Sequence, residues 1–225
     1  PEPRERPESM SHDGPERVTA SEIKSPETIA KIREAGRIAA GAIEAVGAAI
    51  APGVTTEELD RIGHEFLIAH DAYPSCLGYM GFPKSICTSI NEVICHGIPD
   101  DRPLEDGDII NIDLTIKKDG FHGDSSRMFA VGKISPIAQR LIDVTHESMM
   151  AGIAAVKPGA TLGDVGYACQ QVAENAGYSV VQEFCGHGIG RGFHEAPQVL
   201  HYGRKGQGLV LKPGMIFTIE PIINQ

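Results

Sequence analysis

The sequence predicts an α+β chain made of two related halves that close on one shared site. Three observations carry this. Segments with apolar residues at helical spacing are followed by segments that alternate, in the order helix–helix–strand–strand. The same punctuation then returns 105 to 107 residues later. And 225 residues with 41% apolar side chains can bury a substantial core.

Taken in order, residues 1–22 are expected to be a disordered tail. Their first 17 hold four prolines, eight charged side chains and one apolar residue, Met10, too little to offset the entropy of ordering. Residues 23–225 are expected to fold as one unit. Ser25-Pro26-Glu27 opens a helix, since Ser caps well, Pro is tolerated in the first turn and Glu suits the positive end of the dipole. Ile29, Ile32, Ala39, Ile43 and Val46 follow at helical spacing until Pro52-Gly53 ends the run. Thr55 with Glu58 forms a capping box for a second helix, through Leu59, Ile62 and Phe66 to about His70.

Residues 108–116 alternate, with Ile110, Ile112, Leu114 and Ile116 on one face and Asn111, Asp113 and Thr115 on the other. Lys118-Asp119 reads as a two-residue hairpin loop into a strand at 121–131 that carries His122, Asp124 and Ser126 on one face. That register sets Asp113 directly opposite Asp124. The pattern then repeats. Ile50-Ala51-Pro52-Gly53-Val54-Thr55 returns as Val156-Lys157-Pro158-Gly159-Ala160-Thr161, 106 residues on. Asp106-Gly107-Asp108-Ile109-Ile110-Asn111-Ile112-Asp113 returns as Pro213-Gly214-Met215-Ile216-Phe217-Thr218-Ile219-Glu220, 107 residues on. Two such halves pair across a pseudo-twofold axis, which makes Asp113 and Glu220 equivalent and puts Glu220 on an alternating strand.

Composition excludes several roles. Thirty acidic against 20 basic side chains give a formal net charge of −10, unsuited to a nucleic-acid surface that needs clustered Lys and Arg. No run approaches the roughly 18 apolar residues of a membrane span; the nearest, 38–54, is rich in Ala and Gly and carries Glu44. The five cysteines (Cys76, Cys87, Cys95, Cys169 and Cys185) are odd in number and form no C-x-x-C pair, which argues against a disulfide framework and for a reducing, cytoplasmic setting.

The chemistry lies in the polar residues. Like charges facing each other across a ladder destabilise it, and a divalent cation is the simplest compensator; the alternative is a solvated face paired with Lys or Arg. Four alternating glycines surround His187 in Cys185-Gly186-His187-Gly188-Ile189-Gly190-Arg191-Gly192-Phe193-His194-Glu195. The spacing is not that of a dinucleotide loop, and neither His194-Glu195 nor His64-Glu65 continues as H-E-x-x-H. Two Asp, one Glu and at least one His converging on the axis describe a carboxylate-rich dinuclear site, suited to Mn, Fe(II), Co or Zn. Peptide hydrolysis follows from such a layout.

At this point the motifs resemble a family. Cys76-Leu77-Gly78-Tyr79, Phe82-Pro83-Lys84-Ser85, Ile94-Cys95-His96-Gly97-Ile98-Pro99, Asn111-Ile112-Asp113-Leu114-Thr115, His122-Gly123-Asp124-Ser125-Ser126, Cys185-Gly186-His187-Gly188, Phe193-His194-Glu195 and Thr218-Ile219-Glu220-Pro221 are similar to type I methionine aminopeptidases over about residues 23–225. The resemblance implies a pseudo-twofold pita-bread fold, with a central antiparallel sheet, helices on its outer face, and removal of the initiator methionine when the second residue is small. It implies two divalent metal ions, with Asp113 and Asp124 on one, Asp124 bridging, and His187 and Glu220 on the second. His96 and His194 match the family's non-ligand histidines that contact substrate. Cys76, Tyr79, Phe82, Cys87 and Phe193 match the wall of the methionine pocket. The partners implied are the N-terminal Met of nascent polypeptides and the ribosome near its exit tunnel, with a monomeric enzyme when complete.

Two departures stand out. Met80 occupies a position where many bacterial members carry a His beside the pocket. The family's last ligand, a Glu bridging both metals on a further strand, does not occur before Gln225, so the sequence is expected to be C-terminally truncated and this span alone aggregation-prone and inactive. A non-catalytic module of the same fold, binding a partner such as the ribosome, is the competing reading. Such a module sheds metal ligands, whereas every ligand that this span can contain is present.

Overall fold

The computed structural model describes residues 23–225; the tail expected over residues 1–22 lies outside the described residues. Helix α1 (Pro26–Ala48) begins where the Ser25 side chain accepts from the Thr28 amide, and it buries Ile32, Ala35, Ile38, Ala39, Ala42, Ile43 and Val46. Helix α2 (Thr56–Ala69) begins at Thr55, whose side chain accepts from the Glu58 amide. Four antiparallel strands follow: β1 (Tyr73–Pro74), β2 (Cys87–Ile90), β3 (Ile109–Lys118) and β4 (Phe121–Ala130). β3 is central and pairs with all three others. Its Ile110, Ile112, Leu114 and Ile116 are fully buried and join α1 and α2 in the first core. Its polar face looks into an open cleft.

The hairpin register differs from the sequence expectation. Lys118 pairs with Phe121, so the loop is Asp119-Gly120, with φ of +51° and +82°. Both positions are left-handed, as a type I′ turn requires, and Asp-Gly supplies them more readily than Lys-Asp. Asp113 therefore faces Ser126, and Asp124 faces Thr115. The two carboxylates keep one face but become diagonal neighbours, roughly 7–8 Å apart at Cα rather than about 5 Å.

The second half repeats the first. α3 (Pro136–Ala155) is capped by Ser135, and α4 (Leu162–Asn175) opens on a full capping box between Thr161 and Asp164. The pseudo-symmetry is visible bond by bond. Thr55 bridges Pro103 as Thr161 bridges Val210, and the Gly53 amide donates to Leu104 as the Gly159 amide donates to Leu211. β5 (Ser179–Val180), β6 (Gly186–Gly188), β7 (Glu195–Val199) and β8 (Ile223–Asn224) make two small sheets, β5–β8 and β6–β7.

The strand expected around Glu220 is not continuous. Phe217 makes one bridge to Gly188, and the Thr218 amide donates to the His187 carbonyl at 2.8 Å. Beyond that point the Glu220 amide turns away to His201 and Pro221 has no amide to give, which interrupts the ladder until β8. The halves are stitched together where the His122 amide of β4 donates to the Gly190 carbonyl at 2.8 Å.

Helix α1 crosses β4 at backbone contact. A Cβ added to Gly123 would lie 2.3 Å from the Ala35 carbonyl carbon and 2.4 Å from the Gly36 nitrogen. Both obstacles are main chain, so α1 must shift. Gly123→Ala is expected to destabilise the fold by about 1–3 kcal/mol, as overpacking does. An unchanged thermal midpoint would mean that α1 and β4 are less tightly docked than this.

Candidate metal centre and substrate cleft

Each half contributes chemistry to the cleft. Asp113 and Asp124 come from β3 and β4, His187 from β6, and Glu220 from the interrupted segment beside it. His187 stands at their meeting point, with Nε2 3.4 Å from Asp124 Oδ2 and 3.5 Å from Glu220 Oε1. Its Nδ1 lies 2.9 Å from the Gly188 carbonyl. A ring that donates Nδ1–H to a backbone carbonyl turns the Nε2 lone pair outward, the arrangement of a metal-ligating histidine. Thr218 braces the pair: its hydroxyl donates to Glu220 Oε1 at 2.5 Å, and the His187 amide donates to the same hydroxyl at 2.9 Å.

The electrostatics are those of an anion cluster. Burial, then the charges of Asp124 and Glu220, push Asp113 well above the usual carboxylate range. Glu220 is pushed up to about 7, chiefly by burial. Burial alone would lower His187, but Asp124, the Gly188 carbonyl and Glu220 outweigh it and raise it. Among the described residues no Lys or Arg pairs with Asp113, Asp124 or Glu220, so the alternative of a salt-bridged face does not hold.

These residues fit divalent cations. Two donors about 2.1 Å from one tetrahedral ion stand about 3.4 Å apart, close to the separations that His187 makes with both carboxylates. Among the described residues no three or more His, Cys, Asp or Glu side chains stand close enough together to form a ready-made metal-holding group.

The rest of the cleft is aromatic and thiol. Phe193 lies between His194, stacked with centroids 4.2 Å apart, and His122, 5.8 Å away at 13°. His194 sits 4.3 Å from the His187 ring, and its Nδ1 is 2.9 Å from the Tyr79 hydroxyl. Burial and the neighbouring His187 lower His194. His96 has left-handed backbone, φ +56°, and its ring meets Phe184 edge-on at 5.6 Å. Cys76 and Cys87 are buried, and Cys87 is held as the thiol by its hydrogen bond to Cys76 and by burial. Phe82 lines the same wall, while Met80 is 92% exposed and turns its side chain to solvent.

Three residues that had no role in the sequence reading contribute here: His201, Glu195 and Lys24. His201 is 1% exposed and neutral, lowered by burial to about 4, and its Nε2 accepts from the Glu220 amide at 2.9 Å. Its only sequence signal is a place in the inward phase of Val199-Leu200-His201. Glu195 pairs with Lys24 and accepts from the Gly192 amide at 2.7 Å, tethering the loop that bears Phe193 and His194. His201→Phe leaves the Glu220 amide without its acceptor. We expect a loss of about 1–3 kcal/mol in stability, read as a lower thermal midpoint; an unchanged midpoint would show that solvent serves that amide equally well.

Comparison with known proteins gives the family. Residues 30–225 match the model of metallopeptidase family M24. The methionine aminopeptidase of Salmonella typhimurium is 58% identical over 91% of this chain and 78% of its own length. The crystal structure of methionine aminopeptidase from Rickettsia prowazekii superposes with a TM-score of 0.89 at 53% identity, covering 90% of this chain and 82% of that one. The prolidase from Pyrococcus horikoshii, at 25% identity and a TM-score of 0.74, covers 89% of this chain and 55% of that one. The chain belongs to metallopeptidase family M24. Within that family it stands with the type I methionine aminopeptidases, metal-dependent hydrolases of pita-bread fold that remove the initiator methionine. Among the described residues no helix is long and apolar enough to cross a membrane.

Proposed function

We propose that Asp113, Asp124, His187 and Glu220 would hold two divalent cations, of Co, Mn, Fe(II) or Zn character. The observation that supports this is the His187 imidazole set between the Asp124 and Glu220 carboxylates, with Nδ1 committed to a carbonyl. When bound, such ions supply Lewis acidity and lower the pKa of a water. The chain's own groups do the rest. A ring N–H of His194 donates a hydrogen bond to the scissile carbonyl oxygen as charge develops there. His96 orients the peptide or carries a proton to the leaving amine.

Cys76, Tyr79, Phe82, Cys87 and Phe193 form the pocket for the methionine side chain, where a thioether meets thiol and aromatic surface. The second residue of the substrate is small, as in the methionine aminopeptidases that the chain resembles. The substrates are nascent polypeptides, met by a monomeric cytoplasmic enzyme near the ribosomal exit tunnel. In the full-length protein, kcat/KM for Met-Ala-Ser should exceed that for Leu-Ala-Ser by about 10–200-fold, the range one pocket achieves by shape. Equal turnover of the two peptides would remove the pocket assignment.

A further inference from the structure

We infer that Tyr79 is a positioning residue for this reaction: its hydroxyl donates to Nδ1 of His194 and so fixes that imidazole as the tautomer with its proton on Nε2. The inference rests on the reading of His194 as donor to the scissile carbonyl oxygen. Neutral imidazole carries one proton, and the partner of one nitrogen decides where it sits. The Tyr79 oxygen is 2.9 Å from Nδ1, and among the described residues it is the one hydrogen-bond partner of that nitrogen. An imidazole nitrogen is much more basic than a phenol oxygen, so the hydroxyl proton points at Nδ1. Nε2 then keeps its hydrogen. A ring with the opposite tautomer would present a lone pair to the carbonyl oxygen and repel it.

The backbone is arranged to hold Tyr79 in that place. Tyr79–Gly81 is a single 3-10 turn in which Gly78, Met80 and Gly81 all have positive φ, +81°, +48° and +84°. Met80 pays a steric cost there, since non-glycine residues seldom adopt that region. The turn is closed by the Gly78 amide on the Phe82 carbonyl at 2.8 Å and the Phe82 amide on the Tyr79 carbonyl at 2.9 Å. It brings a first-half tyrosine onto a second-half histidine 115 residues away in sequence. The rings are packed as well: Tyr79 lies 4.8 Å from Phe193 and 5.5 Å from His194. One side chain thus serves as pocket wall and as anchor of the donor's tautomer.

The test uses the zinc-loaded full-length protein with ¹⁵N-labelled histidine, the His194 signals being assigned by their loss in His194→Ala. The wild type should show His194 protonated at Nε2 and bare at Nδ1. Tyr79→Phe keeps the ring, so KM for Met-Ala-Ser should change by less than about twofold. Its His194 signals should move toward a mixture of tautomers while kcat falls about tenfold, the scale of one lost neutral hydrogen bond. A wild-type His194 protonated at Nδ1 overturns the inference, and that spectrum decides alone if the variant does not fold. So does a Tyr79→Phe protein with unchanged tautomer, whatever its kcat, or with changed tautomer and full kcat. Full kcat in His194→Ala is a different failure: it overturns the donor role itself, and with it any effect of Tyr79 on rate.

Discussion

His194→Ala in the full-length protein is expected to lower kcat by about 10²–10³ while its metal content stays at the wild-type level. A donor aimed at a developing oxyanion contributes roughly 3–4 kcal/mol to the barrier, which is that range in rate. The ring is well placed for the task. It is stacked on Phe193 and held at Nδ1 by Tyr79, and it sits 4.3 Å from the His187 ring without entering either carboxylate pair. His187→Ala provides the contrast. It removes the nitrogen that stands between Asp124 and Glu220, so metal occupancy should fall together with rate. Metal analysis of the two purified variants separates the roles. A His194 variant that purifies without metal would make His194 a ligand and reverse the assignment.

Much of this site was legible in the sequence, because the signals were local or periodic. The alternation of residues 110–116 fixed which face of β3 is buried, and the caps at Ser25 and Thr55 marked the helix starts. The internal repeat made Asp113 and Glu220 equivalent. The backbone bears this out: β6 meets Phe217 as β2 meets Ile110, and those two partners are repeat mates. What failed was register. Asp-Gly out-competes Lys-Asp for a type I′ turn, and the shift changed the Asp113 partner from Asp124 to Ser126 while leaving both carboxylates on the cleft face. The segment around Glu220 looked like a strand by alternation alone. The Glu220 amide instead donates to a histidine 19 residues back, which no pattern of period two announces. The Lys24–Glu195 pair spans 171 residues and is invisible to any reading of neighbours.

Chelation should have the largest effect of all: stripping the metal from the full-length protein should abolish hydrolysis of Met-Ala-Ser, and Co, Mn or Fe(II) should restore it. The stripped protein should also betray its carboxylates through pH. Glu220 is pushed up to about 7 from a usual 4.5, and Asp113 is raised as well. A carboxyl with a raised folded pKa holds its proton longer folded than unfolded. Its favourable contribution is therefore present at low pH and disappears as pH rises from the unfolded value through the folded one. His187, raised in the folded state, loses stabilisation in the same direction. His201, lowered to about 4, acts oppositely between 4 and its usual 6.5. Its buried ring is common to the loaded and stripped forms, so the difference between their melting curves cancels it. That difference should widen as pH rises from about 5 to 7.5. The Glu220 side chain keeps 38% of its surface open, so solvent discounts its share to about 1–2 kcal/mol. For a chain of this size that is roughly 2–8 °C in thermal midpoint. A gap that stays constant across this range would mean that Asp113 and Glu220 do not meet the metal, and full activity in chelator would mean that no metal is needed.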